Sequence, residues 1–214
     1  MAEKKVKKQK PFYILNNVRC SFPALFERPT IDGKLGKCGS KFLLDPKIPE
    51  QKEMIIKLRK VANAIMIKEI KVKIGPHKWF IRNGDNEDRP EYSGFWIVSA
   101  NVNPPAKPLV LAGNGKTAIT TEEDCKIYSG CRVNAKIQPW GQKNKWGKRV
   151  NATLVAIQFA GDDEPLSASH VPTDVAMEGF SAVDTGDEFD EDYENDDDVL
   201  DLDDDEDLDL DDDD

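Results

Sequence analysis

No lysine or arginine follows Arg149 in this chain of 214 residues. All 30 basic residues lie between Lys4 and Arg149, where the first 160 residues carry only 14 Asp and Glu and a net charge of +16. The other 26 acids stand among residues 161–214 with no base to offset them. The formal charge of −10 therefore describes neither part. A basic body with an acidic tail points to a polyanion-binding domain carrying an interaction segment. The tail is itself a polyanion that the body attracts.

Cysteine and histidine are also scarce. Cys20, Cys38, Cys125 and Cys131 form no C-x-x-C pair, and His77 and His170 are the only imidazoles. Reduced thiols are expected, with no zinc or other metal site and no cofactor. No apolar run nears the ~20 residues of a membrane span, and MAEKKVKKQK lacks the apolar centre of a signal peptide. Catalytic patterns are missing as well. Gly113-Asn114-Gly115-Lys116-Thr117 ends like a phosphate loop, but Val110 stands where that motif needs its first glycine. No Ser, His and Asp set marks a nucleophile elbow. Asp85, Glu87, Asp88 and Glu91 lack calcium-loop spacing. The chain reads as a binder, not an enzyme.

What is present is alternation. Cys131 to Phe159 reads as two strands joined by a turn rich in Gly, Asn and Lys. In the first arm Cys131, Val133, Ala135 and Ile137 share one face, while Arg132, Asn134, Lys136, Gln138 and Trp140 share the other. The turn adds Lys143, Lys145, Trp146, Lys148 and Arg149. Cations interleaved with flat rings suit a single strand of nucleic acid, whose bases stack while its phosphates are neutralised. Trp140 and Trp146 are the first stacking candidates, followed by Trp79, Tyr92 and Phe95. Arg132, Lys136, Lys143, Lys145, Lys148 and Arg149 are the phosphate candidates, with Arg19, Lys41, Arg82 and Arg89 behind them.

Elsewhere, residues 1–10 form a flexible basic arm. Phe12 to Cys20 predicts a strand, with turns at Pro23 and Pro29, and a Gly-rich basic loop spans Thr30 to Gly39. Ser40 to Asp45 predicts a second strand. From Glu50 to Glu69 the period becomes helical: Met54, Ile55, Leu58, Val61, Ala62, Ile65 and Met66 fall on one side, with Lys52, Lys57, Arg59 and Lys60 opposite. Lys71 to Phe80 predicts a strand interrupted at Gly75-Pro76. Phe95 to Asn103 predicts a central strand whose core face carries Trp96, Val98, Ala100 and Val102, and Leu109 to Leu111 a short one. Residues 161–214 are expected to be a disordered acidic tail. Its Leu200, Leu202, Leu208 and Leu210, with Asp211, Asp212, Asp213 and Asp214, form an acidic-apolar segment of the kind partners grip.

These elements predict a mainly β fold over residues 11–160: a five-stranded or slightly elaborated Greek-key barrel of the OB-fold type, with one amphipathic helix. The hairpin would supply one wall of a basic groove and the loop at residues 30–39 the other.

Four strings carry a resemblance: Asn17-Val18-Arg19-Cys20-Ser21-Phe22, Lys41 to Lys47, Asn83-Gly84-Asp85 with Arg89-Pro90-Glu91-Tyr92, and Tyr128-Ser129-Gly130-Cys131. With the acidic tail, they resemble the replication single-stranded DNA-binding proteins of tailed bacteriophages, the podophage T-seven type and its relatives, over most of residues 12–166. That resemblance implies a protein of the bacterial host cytoplasm that coats single-stranded DNA during phage replication, recombination and repair. It also implies that the tail contacts the replicative polymerase and the helicase or primase. A homodimer is compatible with it. The chain departs from the podophage pattern in ending on Asp211 to Asp214, with Leu210 its last apolar residue, instead of an aromatic one. An RNA-chaperone barrel would use the same groove, and a protein-interaction module would make the tail the active part.

Overall fold

The computed structural model describes residues 10–31, 33–166 and 179. The chain divides into two units, Met1–His170 and Val171–Asp214. The basic arm up to residue 9 and the tail residues Leu200, Leu202, Leu208, Leu210 and Asp211 to Asp214 lie outside the described residues.

Among the described residues, the first unit holds ten strands and one main helix. They are β1 (Tyr13–Ala24), β2 (Thr30–Ile31), β3 (Lys34–Leu35), β4 (Gly39–Leu44), α1 (Pro49–Ile65), β5 (Ile81–Asn83), β6 (Trp96–Asn101), β7 (Leu109–Leu111), β8 (Ala118–Ile119), β9 (Arg132–Asn144) and β10 (Gly147–Gly161). Eight of the strands form one sheet in the order β5-β6-β4-β1-β9-β10-β7-β8. It curls until the backbone of Trp79, just before β5, pairs in parallel with Val150 on β10. The result is an OB-like barrel of β6, β4, β1, β9 and β10 with strands added at its edges.

The predicted hairpin is β9 and β10, paired from Arg132↔Gly161 to Asn144↔Gly147. Its inward face, Cys131, Val133, Ala135 and Ile137, is fully buried in the core. Strand β1 runs through the expected turn at Pro23 but carries two irregularities, where Asn17 and Phe22 take positive φ of 50° and 48°. Asparagine tolerates that conformation. Side chains satisfy the freed backbone of the first irregularity: Asn17 N–H donates to Asn134 Oδ1 at 2.9 Å, and Asn17 O accepts from the buried Gln51 at 3.1 Å.

Helix α1 starts with Pro49 at its first position and buries Ile55, Leu58 and Ala62. The expected continuation to Glu69 is a wider π turn over Met66–Ile70, ended by Lys71 in the left-handed region at φ 59°. The strand expected over Lys71 to Phe80 does not form. Pro76, which cannot donate to a ladder, opens a single 3₁₀ turn, Pro76–Lys78. The loop at residues 30–39 holds the small β2–β3 hairpin, closed by Arg28 Nε donating to Gly36 O at 2.7 Å.

Two segments cover the outer face of the sheet. Residues 84–95 fold back over Leu43 and Ile97, burying both under Tyr92. A Cβ on Gly84 would stand 2.1 Å from Tyr92 O, so only glycine permits that fold-back. Residues 162–166, from the acidic stretch, lie against β1 and the residues just before β9. There Leu166 N–H donates to Ser129 O at 3.0 Å, and Leu166 packs against the Leu43 cluster. Gly130, at φ 119°, leaves room for Glu164 O, which a Cβ would meet at 2.4 Å.

Candidate nucleic-acid interface

Closing the barrel at Trp79 and Val150 sets the residues before β5 beside the far end of the hairpin. Between them lies a groove of about 480 Å³. Trp140 on β9 and Trp146 in the hairpin turn form one wall, and Trp79 forms the other. Lys37, Lys78, Arg82 and Arg149 add positive charge, and among the described residues no Asp or Glu lines the groove. Trp146 is 79% exposed, with Lys145 Nζ 5.1 Å from its ring centroid. Amides line the floor: Asn151 Nδ2 donates to Gln142 Oε1 at 2.8 Å, and Lys37 Nζ to Asn103 Oδ1 at 2.7 Å. Rings beside cations, free of carboxylates, suit stacked bases and bound phosphates.

The groove thus gathers five of the sequence candidates: Trp140, Trp146, Trp79, Arg82 and Arg149. Arg82 is largely occupied, its guanidinium donating to Glu87 Oε1 (2.6 Å), Trp79 O (3.1 Å) and Ser99 Oγ (3.3 Å). It therefore holds Trp79 in place. Lys143 and Lys148 sit directly opposite each other across the ribbon. Strand alternation puts them on the other face from Gln142 and Arg149. Like charges so paired destabilise a hairpin, a cost that a polyanion relieves.

The remaining candidates are held elsewhere. Arg132 Nε donates to the carboxylate of Asp163, and Arg19 stands 3.8 Å from the same group. Partial burial opposes ionisation of Asp163, but the Glu164 N–H and the two arginines outweigh it and hold its carboxyl below the usual range. Lys136 Nζ lies 4.7 Å from the centroid of the Phe12 ring, and the Arg89 guanidinium 4.5 Å from that of Phe22. Tyr92, expected to stack, is fully buried and shares a 3.1 Å hydrogen bond with Ser21 Oγ. Phe95 packs against the same small cluster of Leu43, Tyr92 and Ile97. Lys41 Nζ sits 4.9 Å from the Tyr92 ring centroid, where desolvation lowers its pKa. The loop over residues 84–95 explains the placements of Tyr92, Phe95, Lys41 and Arg89, because it turns an outer strand face into a second interior.

Sequence reasoning also missed residues. His77 and Lys78 line the groove with no motif to announce them. Of the loop at residues 30–39, expected to form the opposite wall, Lys37 alone reaches the groove; residues 77–82 and 99–103 supply the rest. Trp96, assigned to the core by alternation, does pack on the core, but it is only half-buried. Its ring centroid lies 4.7 Å from the Arg59 guanidinium on α1.

Known proteins share this arrangement of strands. The single-stranded DNA-binding protein of bacteriophage Enc34 superimposes with a TM-score of 0.62 at 30% identity, over 77% of this chain and 89% of that one. The same protein in complex with single-stranded DNA gives a TM-score of 0.61 at 31% identity, over 78% of this chain and 100% of that one. Putative protein p50 of Acyrthosiphon pisum secondary endosymbiont phage 1 is 32% identical over 169 residues, 73% of this chain and 87% of its own length. The family described as the single-stranded DNA-binding protein of Enterobacter phage Enc34 matches residues 12–199, and the chain belongs to that family.

Proposed function

We propose that this protein binds single-stranded DNA with little sequence preference, in the tryptophan-lined groove between residues 77–82 and the β9–β10 hairpin. It acts in phage DNA replication, recombination and repair, in the cytoplasm of the host. The observation that carries this reading is the groove itself: three of the chain's four tryptophans, four cationic side chains and, among the described residues, no carboxylate on its walls. The Enc34 protein, which belongs to the same family, has been solved with single-stranded DNA. Stacking and phosphate neutralisation give affinity without reading base edges, so binding falls steeply with salt.

The acidic tail, with its 26 carboxylates, competes with DNA for the basic body and contacts the polymerase and the helicase or primase once DNA displaces it. Removing residues 171–214 keeps the segment at residues 162–166 in place and tightens DNA binding at low salt. Unchanged affinity in that truncation would sink the competition.

Quenching of tryptophan fluorescence by oligo-dT tests the main reading. The expected result is quenching by the single strand, weaker quenching by duplex, and loss of both as salt rises. No response to either ligand overturns it, and tighter binding of oligo-U would reassign the groove to RNA.

A further inference from the structure

On the other side of Trp79 lies a second cavity of about 380 Å³, within the size range of ligand pockets. The two share His77, Trp79 and Arg82, so they adjoin at the Trp79 side chain. Their chemistry differs. The first holds four cationic side chains and, among the described residues, no carboxylate. The second has a carboxylate, Glu87, already neutralised by Arg82 at 2.6 Å, beside the amides of Asn83 and Asn86. Across from them the Arg59 guanidinium lies over the Trp96 ring, 4.7 Å from its centroid. Such walls suit a flat group with a hydrogen-bonding edge better than a phosphate.

Three observations point to a ligand in this place. Arg59 is exposed, and among the described residues no carboxylate pairs with it; its planar group over an indole offers an outer face for a further ring. Asn83 Oδ1 accepts from Asp85 N–H at 3.3 Å, which leaves its NH₂ to donate, and Asn86 is exposed. Trp79 Nε1, on the side chain where the cavities adjoin, is the one buried side-chain nitrogen or oxygen without a hydrogen-bond partner among the described residues. A buried donor left unpaired is uncommon enough to mark a site.

We propose that this cavity is a base pocket at one end of the DNA path. One nucleotide of a bound strand passes Trp79 and stacks its base on the Trp96–Arg59 pair, turning its edge towards Asn83 and Asn86. The proposal rests on the single-strand reading and assigns helix α1, otherwise a packing element, a part in binding.

Arg59→Ala tests it, since an exposed helix position should not disturb folding. Affinity for oligo-dT is measured over a ladder of lengths, with thermal denaturation as the control for folding. The shortest oligomers that still quench Trp140 and Trp146 should bind variant and wild type alike. Above a threshold length the variant should lose about fivefold or more, the scale of one stacked base. Arg59→Lys should show the same loss, because it keeps the charge but not the plane. Equal affinities at all lengths, a loss independent of length, or full rescue by Arg59→Lys would each overturn the pocket. If the wild type itself binds no oligomer, the single-strand reading fails first. If it binds and the Arg59 variants do not differ from it, only the pocket fails.

Discussion

The backbone of Trp79 pairs in parallel with Val150 and closes the barrel, so the side chain at which the two cavities adjoin hangs from the closing seam. Binding surface and fold therefore meet in one residue. Trp79 is only partly buried, packed against the core, so Trp79→Ala should lose less than the about 3–5 kcal/mol of a fully buried ring, and should lose DNA affinity with it. Trp79→Phe keeps most of the ring and removes the unpaired N–H, whose burial opposes folding by about 1–3 kcal/mol. Thermal denaturation should find Trp79→Phe much closer to wild type than Trp79→Ala.

Trp146 separates binding from folding. Because it is 79% exposed in the hairpin turn, Trp146→Ala should leave stability within about 0.5 kcal/mol. It should weaken oligo-dT binding by about 1–3 kcal/mol, the worth of one stacked base. Trp140→Ala should add to that loss. A fall in melting temperature that accounts for the whole binding defect would mark these rings as structural.

Arg149 lines the groove and no acid pairs with it among the described residues. Arg149→Ala should flatten the salt dependence of single-strand binding by about 0.7 in log–log slope, the contribution of one phosphate contact. Lys143→Glu tests the opposite face. It replaces the Lys143–Lys148 repulsion with attraction and should stabilise the hairpin by about 0.2–1 kcal/mol, read as a rise in melting temperature.

Tyr92 should act on folding alone. Tyr92→Phe removes the hydrogen bond to Ser21 and should cost about 1 kcal/mol without changing DNA affinity. Burial pushes the Tyr92 hydroxyl above its ordinary value of 10.0, so the folded state favours the neutral form. That contribution is complete below the ordinary value and is lost as pH rises through the folded one. Denaturation midpoints of wild type and Tyr92→Phe should therefore converge at high pH.

Asp163 gives the opposite sign. Its carboxyl lies below the ordinary 3.8 in the folded state, so its stabilisation is present above that value and disappears as pH falls through the folded one. Asp163→Asn should lose about 1 kcal/mol at neutral pH, as expected for a partly exposed ion pair reinforced by hydrogen bonds. The difference from wild type should vanish in strong acid. A difference that persists there would assign the effect to packing.

Much of this protein follows from neighbours along the chain. The alternation of Cys131, Val133, Ala135 and Ile137 marks the core face of β9, and Ile55, Leu58 and Ala62 mark that of α1, because side-chain direction repeats every two or 3.6 residues wherever the chain ends up. The split between a basic body and an acidic tail is likewise a property of composition, as is the interleaving of rings and cations in the hairpin turn. Tertiary structure decided which of those rings and cations can meet a ligand. Tyr92 is core because residues 84–95 fold over Leu43 and Ile97, and Arg132 is engaged because Asp163 returns to it from 31 positions along the chain. Trp79, Trp96 and Trp140 line two adjoining cavities because the sheet closes on itself at Val150. Local periodicity tells which way a side chain points, but what stands opposite it depends on closure between segments far apart in sequence.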